Sequence, residues 1–189
     1  MKKIVNIVIL PVFLLAVSDL QIDLDYDGKL DVVSIKKDGE HNRIVYKLST
    51  RKGQSFESDA LESYNSQIQH LEKSKNGFKY KETFMRGGIS AQFRYEKKSK
   101  KMQLIGMEHY EDGNAAHVGS GESSVNLLTG KYIAQWAYVN YKKLKLITPP
   151  QTIRYYKFDK IYIDNFVFMI DKYYALDNGE EDTFSLADK

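Results

Sequence analysis

The sequence predicts a mainly β protein, an antiparallel meander that forms a sandwich, barrel or propeller-like sheet with one short helix. Three observations carry this prediction. Apolar and polar residues alternate along several segments, turn signals separate these segments, and aromatic residues are abundant, with 14 Tyr, 9 Phe and 1 Trp. Alternation with a period of two places one face of a strand in a core, and aromatic side chains favour strands.

Three pairs of segments are predicted to form hairpins: 31–35 with 44–48, 89–96 with 102–105, and 125–128 with 132–140. The first pair is joined through Asp38-Gly39, which is a strong turn signal. The second is joined through a lysine-rich turn that we expect to be solvated. Two late strands are predicted at 154–158 and 166–170.

One helix is predicted, at 60–72. Its apolar residues recur at spacings of three and four, which is the helical period: Leu61, Tyr64, Ile68 and Leu71. Ser58-Asp59 stands where a capping residue would begin such a helix.

The N-terminus has the pattern of a secretory signal. Met1-Lys2-Lys3 is followed by the apolar run 4–17 and then by the small residues of Ala16-Val17-Ser18. We predict a signal peptide over 1–18, cleavage after Ser18, and a single exported β-rich domain over 19–189, in the periplasm or outside the cell. The alternative is a buried N-terminal strand or helix. The run is shorter than the roughly 20 residues of a spanning helix, so no membrane span is expected in the mature form.

Composition limits the possible partners. The formal net charge is +3, and it falls to +1 if Lys2 and Lys3 are removed, so we expect no nucleic-acid partner. The chain has no cysteine, which excludes disulfides, lipidation of a cysteine and a cysteine nucleophile.

An acidic loop over 23–31 has the spacing D-x-D-x-D-G-x-x-D. Oxygen ligands at these positions suit Ca²⁺, with Gly28 allowing the sharp bend that brings them together. The predicted ligands are the backbone carbonyl of Lys29 and the side-chain oxygens of four aspartates: Asp23, Asp25, Asp27 and Asp31. The twelfth position, a Glu in an EF-hand, is Ser34, and a strand follows instead of a helix. The alternative is an acidic β-turn without metal; if Ca²⁺ binds, its expected role is structural.

The segment 110–124 is polar and glycine-rich, and it is predicted to be a long loop between strands. Such loops often carry function. We predict that it binds a partner through Glu111, Asp112, His117 and Glu122. His109 and His117 lack a metal-site spacing and are expected at the surface. Arg86 and Arg94 are predicted to pair with acids of this loop as structural ion pairs, with a ligand clamp as the alternative. Gly87-Gly88 is predicted to mark a bulge or a close backbone approach.

No catalytic set is evident in the sequence. It has no G-x-S-x-G motif and no phosphate-binding loop, and nothing fixes two acids at a defined separation. We therefore predict that the protein is not an enzyme; a hydrolase using Glu108 or Glu122 is a lesser alternative.

The chain resembles a group of exported bacterial proteins, the lysozyme-inhibitor-like and immunity-type proteins, in its combination of a signal peptide, an Asp-rich loop and a β meander. The acidic loop is similar to FG-GAP-type and dockerin-like Ca²⁺ loops. The chain is also similar to exported proteins of Bacteroides-type bacteria in four blocks: 84–88, 92–95, 104–107 and 119–130. The resemblance implies a periplasmic protein that inhibits a peptidoglycan-cleaving toxin or a lysozyme. The alternative is an FG-GAP-like or lectin-like module for adhesion or carbohydrate binding.

Overall fold

A computed structural model describes residues 19–62 and 68–179 of the chain. The predicted fold class is confirmed, because this part of the chain is mainly β, with antiparallel sheets and a single α-helix. The predicted signal peptide lies outside the described residues.

The first sheet has four strands in sequential order: β1 (Leu20–Ile22), β2 (Asp31–Asp38), β3 (His41–Lys47) and β4 (Ser55–Glu57). The predicted hairpin of β2 and β3 is confirmed, with Asp38 opposite His41 at its turn. Gly39 adopts a φ of 63°, a left-handed conformation that glycine enters without steric cost. The acidic loop connects β1 to β2 and therefore lies at one end of this sheet.

The second sheet has seven strands. Its first six are β5 (Ile68–Ser74), β6 (Gly77–Phe84), β7 (Gly87–Glu96), β8 (Lys101–Asp112), β9 (Ser120–Asn126) and β10 (Lys131–Trp136). The chain then forms a separate ribbon of β11 (Tyr138–Asn140) and β12 (Lys145–Ile147), and returns as β13 (Thr152–Tyr155) beside β10. The sheet is open, with β5 and β13 at its edges.

The predicted hairpins of this sheet are formed, but the predicted strand at 132–140 is divided between β10, which ends at Trp136, and β11 of the separate ribbon. β7 and β8 pair along their length around the lysine-rich turn, and β9 and β10 pair from Val125–Tyr132 to Gly121–Trp136. The predicted strand at 154–158 is realised only in its first two residues, since β13 ends at Tyr155. A register shift in the β7–β8 pair follows Gln92, so the bulge lies beyond the glycine pair Gly87-Gly88 that was predicted to mark it.

The helix prediction at 60–72 is wrong in its described part. Residues 63–67 lie outside the described chain, and Ile68–Ser74 is strand β5. Alternation explains the difference: Leu71 packs against the core, whereas Ile68 is 68% exposed, so the two residues do not share a buried face.

The α-helix lies elsewhere, at Val167–Asp177 (α1), where a late strand was predicted over 166–170. The prediction is wrong because aromatic and branched residues were taken as a strand signal. The buried residues recur at helical spacing instead: Phe166, Met169, Tyr173 and Leu176.

One continuous core joins both sheets and the helix. The helix packs across the inner face of the seven-stranded sheet, where the Phe166 ring meets Phe93 edge-on at a centroid distance of 4.9 Å. Tyr46 stacks on Phe56 at 5.0 Å in the four-stranded sheet. Since Ile89, Ala91 and Phe93 point into this core, the alternate residues of β7 line the opposite, outer face of the large sheet.

Candidate functional sites

The acidic loop brings three of its predicted ligands together. One carboxylate oxygen from each of Asp23, Asp25 and Asp27 lies within 4.8 Å of the others. The chain bends as predicted at Gly28, where φ is 85°, and also at Tyr26, where φ is 63°. This arrangement can hold a metal ion, because hard cations bind converging carboxylate oxygens.

Hydrogen bonds fix these carboxylates in place. Asp23 accepts the amides of Asp27 and Gly28, at 3.1 and 3.0 Å. The Lys29 amide and the Ser49 hydroxyl donate to Asp27, and both hydrogen bonds lower the pKa of its carboxyl. The predicted use of the Lys29 carbonyl as a ligand stays a prediction.

One oxygen in the loop has no protein partner. Asp25 accepts the Thr50 hydroxyl through Oδ2 at 2.5 Å, whereas its Oδ1 is buried from solvent without a hydrogen bond. A buried carboxylate oxygen without a hydrogen-bond donor lowers the stability of the fold, because it has lost its hydration and no protein group replaces the water. A cation among the three carboxylates would satisfy it.

Asp31 lies outside the group of three. It is buried, and its two oxygens accept the amides of Leu24 and Ser49, each at 2.7 Å. These bonds tie the start of the loop to the segment that follows β3. Its geometry gives Asp31 the role of holding the loop to the sheet.

Positive charges also surround the loop. Arg51, Lys97 and Lys100 line the same open depression of about 440 Å³ as Asp25 and Asp27. Lys97 Nζ also lies 5.9 Å from the centroid of the Tyr26 ring. These cations offset part of the repulsion among the carboxylates, and they therefore favour the metal-free turn.

The segment predicted as a long central loop is mostly strand. Residues 110–112 belong to β8 and residues 120–124 to β9, so only 113–119 are irregular; we call these residues the hairpin tip. The prediction of a long loop is wrong because glycine and serine were read as loop residues. Gly121 is required by packing, since a side chain there would strike the backbone of Gln135.

The predicted partner-binding residues surround the hairpin tip but differ in accessibility. Asp112, His117 and Glu122 are exposed, as binding residues must be. Glu111 is partly buried, and its Oε1 atom lies 3.3 Å from Nε2 of His109. Met85, on the neighbouring β6–β7 turn, is 91% exposed, and no sequence pattern pointed to it.

Arg86 holds the tip in one conformation. Its guanidinium donates to the carbonyl oxygens of Asp112, Gly113 and Asn114, so the predicted pairing of Arg86 with acidic side chains is wrong. Asn114 Oδ1 in turn accepts the amides of Ala116 and Val118, at 2.9 and 3.1 Å. The backbone approach expected at Gly87-Gly88 is confirmed: a Cβ at Gly87 would lie 2.7 Å from the carbonyl oxygen of Tyr110, in the adjacent strand.

His109 is buried beneath the sheet, contrary to the prediction of a surface histidine. Its Nδ1 lies 2.7 Å from Asp177 Oδ2, at the end of α1. Asp177 also accepts the hydroxyls of Ser123 and Tyr132, at 2.8 and 2.7 Å. Tyr173 completes the network through the Ser123 hydroxyl at 2.8 Å, and burial raises the pKa of both tyrosines.

This network contains Ser, His and Asp but does not have the connectivity of a nucleophilic triad. In a triad the serine hydroxyl bonds to the histidine, which removes its proton, and the acid orients the histidine from the other side. Here the Ser123 hydroxyl bonds to Asp177 and Tyr173, and Ser123 is 5% exposed. The network instead connects the end of α1 to strands β8, β9 and β10 and so anchors the helix to the sheet.

Comparisons with protein-family models, with curated proteins and with solved structures found no match. Within the described residues, no helix has both the length and the apolar character needed to cross a membrane.

Proposed function

We propose that this chain is an exported, calcium-stabilised binding protein that blocks a cell-wall-degrading enzyme. The observation that carries the proposal is the fixed conformation of the exposed hairpin tip. An inhibitor needs an exposed element whose shape is set before binding, because ordering a loop or a long side chain on binding costs about 0.5–1.5 kcal/mol per side chain.

Four sets of contacts support a fixed tip. Arg86 bonds to three successive carbonyl oxygens on one side, and the Asn114 side chain bonds to two amides within the tip. The Ser120 hydroxyl donates to the carbonyl of His117 at 2.7 Å. Gly119 and Ser120 also bond through their backbones to Ala137. The tip is thereby connected to the end of β10.

The chemistry around the tip suits a protein surface. Met85 offers an exposed, flexible apolar side chain, which is a common anchor at binding surfaces. Exposed acids, Asp112 and Glu122, lie around the tip. Acidic residues around an apolar anchor steer association with a positively charged partner and fix its orientation.

An inhibition assay tests this proposal. Clearing of a cell-wall suspension by a peptidoglycan-cleaving enzyme is measured with increasing amounts of the protein. We expect saturable inhibition, reduced at least tenfold in potency by Met85→Ala with Asp112→Ala. The matched control changes an exposed apolar residue and an exposed acid on α1, Phe168→Ala with Asp171→Ala, and should inhibit like the parent. Absence of inhibition across muramidases and amidases, or equal potency of both variants, contradicts the proposal.

The calcium part of the proposal rests on Asp25 Oδ1 and on the convergence of the three carboxylates. A ligand that binds only the folded state stabilises by about 2.7 kcal/mol at a hundredfold excess over Kd. For a chain of this size that raises the melting temperature by roughly 5–10 °C. We expect this difference between millimolar calcium and chelator, and a smaller one with magnesium.

Asp25→Asn should remove most of the calcium-dependent gain, whereas Asp159→Asn, an exposed acid elsewhere, should keep it. Equal melting of the parent protein in calcium and in chelator would establish the metal-free acidic turn instead. The inhibition assay and the melting assay fail separately, because a protein without calcium can still inhibit.

A further inference from the structure

The outer face of the seven-stranded sheet carries a continuous groove. Three cavities, of about 500, 400 and 330 Å³, adjoin along this face, and Glu108 lines all three. Ligand sites typically have volumes of roughly 300–1,000 Å³. Glu108 was predicted only as the acid of an alternative hydrolase. Its place at the centre of a groove follows from the pairing of β8 with β7 and β9.

The largest cavity is lined by hydroxyl, amide and cationic side chains. Gln92 and Arg94 come from β7, and Asn126 from β9, while Gly106 between them lacks a side chain and leaves room at the floor. The bulge after Gln92 lies at this point of the β7–β8 pair, and bulges are common beside binding sites because they redirect side chains.

Two cations in this cavity are uncompensated. Arg94 and Lys131 both line it, and neither forms an ion pair with any residue in 19–62 or 68–179. Arg94 was predicted to pair with an acid near the hairpin tip, and that prediction is wrong because β7 places it on the outer face near the opposite end of the strand. Two half-buried cations that line the same cavity favour an anionic ligand.

Glu108 is held as an acceptor at the centre of the groove. Lys79 Nζ lies 2.8 Å from both of its carboxylate oxygens, and the Ser90 hydroxyl donates to it at 3.0 Å. Burial acts to raise the pKa of Glu108, but the Lys79 ion pair and the Ser90 hydrogen bond outweigh it and lower that pKa. An ionised, fixed carboxylate can accept hydroxyl groups from a ligand.

Tyr110 provides a flat apolar surface at the same place. Its ring packs against Gly88, where an added Cβ would lie 2.9 Å from Tyr110 Cε1. The residue remains 44% exposed and lines the second and third cavities. A ring supported from beneath by the sheet, with its other side accessible, can stack against the apolar face of a sugar ring.

We propose that this groove binds a carboxylate-bearing saccharide. Ligand carboxylates pair with Arg94 and with Lys131, ligand hydroxyls bond to Glu108 and to neighbouring amide and hydroxyl side chains, and one sugar ring stacks on Tyr110. A saccharide suits the groove better than an extended peptide does, because the groove lies on the face of the sheet, where the backbone amides and carbonyls are already paired with neighbouring strands. This site uses none of the residues changed in the inhibition assay, so the two proposals stand independently.

Calorimetric titration with two hexasaccharides tests the site. Hyaluronan hexasaccharide carries carboxylates, and chitohexaose is neutral. We expect the acidic saccharide to bind at least tenfold more tightly, and its affinity to fall with added salt. Arg94→Gln with Lys131→Gln should abolish this preference, whereas Lys36→Gln with Lys37→Gln, two exposed cations on β2, should keep it.

The aromatic contact is tested separately. Tyr110→Ala should weaken both saccharides at least fivefold, and Tyr110→Phe should bind like the parent, with melting curves confirming that each variant is folded. Several outcomes overturn the proposal: no binding of either saccharide at millimolar concentration, unchanged affinity in the Arg94 and Lys131 variant, or equal binding of hexaglutamate. Displacement of the acidic saccharide by an equal concentration of inorganic phosphate would show a simple anion site and also overturns it.

Discussion

Replacing Asp177 by alanine should be one of the most destabilising single changes near the end of the helix. The Asp177 side chain is 4% exposed and accepts hydrogen bonds from Ser123 and Tyr132, with His109 Nδ1 2.7 Å away. Its removal leaves these buried groups without their acceptor. Each buried donor left unpaired costs about 1–3 kcal/mol.

The contacts in the network overlap, so the costs do not simply add. Ser123 keeps its contact with Tyr173, and His109 keeps its contact with Glu111. With two or three donors affected, we therefore expect a loss of about 3–5 kcal/mol, equivalent to a fall in melting temperature of roughly 6–20 °C. Asp177→Asn should cost less, because the amide retains one oxygen acceptor in a similar shape.

Urea unfolding followed by circular dichroism measures the loss directly, with the slope compared between variants to verify that the unfolded states match. Asp171→Ala is the matched control, since it removes an exposed carboxylate from the same helix and should change stability by less than about 0.5 kcal/mol. If Asp177→Ala and Asp171→Ala unfold at the same urea concentration, the network does not anchor the helix and the reasoning is refuted.

Three further predictions concern other parts of the chain. Hydrogen bonds, the strongest of them from Lys160, lower the pKa of Glu96 from 4.5 to about 2. The ionised carboxylate therefore stabilises the fold above pH 4.5, and this contribution is lost as the pH falls towards 2. The difference in unfolding midpoint between the parent and Glu96→Gln should shrink over this range, and a constant difference would contradict the prediction. Gly130→Ala should lower stability by about 2 kcal/mol or more in urea unfolding, because φ is +75° and an added Cβ would collide with the carbonyl oxygen of Tyr156; an unchanged midpoint would show that the turn adapts. N-terminal sequencing of the exported protein should begin at Asp19, and a retained N-terminal methionine would exclude cleavage there.

Local signals predicted the parts of the fold that depend on neighbours in sequence. The hairpins of β2 with β3 and of β7 with β8 follow from alternation and a short turn, and both turns lie where glycine or charged residues indicated. The convergence of the carboxylates in the acidic loop was predicted for the same reason, since the three residues lie within five positions of one another.

Features that depend on distant segments escaped the sequence analysis. The polar residues 120–124 form strand β9 because β8 and β10 pair with both of its edges, and Ser123 fits beneath α1. Ser123 illustrates this, since its hydroxyl meets Asp177, 54 positions later. The groove combines residues from six strands, β5 to β10, so no local pattern indicated it.

The positions of these sites separate stability from recognition. The acidic loop joins β1 to β2 in the four-stranded sheet, whereas the hairpin tip and the groove belong to the seven-stranded sheet, and the sets share no residue. Asp31 bonds the loop to the segment after β3, so order in the loop supports the small sheet and, through the common core, the whole fold. Calcium in the proposed site would therefore change the fraction of protein that is folded, and would leave the affinity of each folded molecule for its ligands almost unchanged.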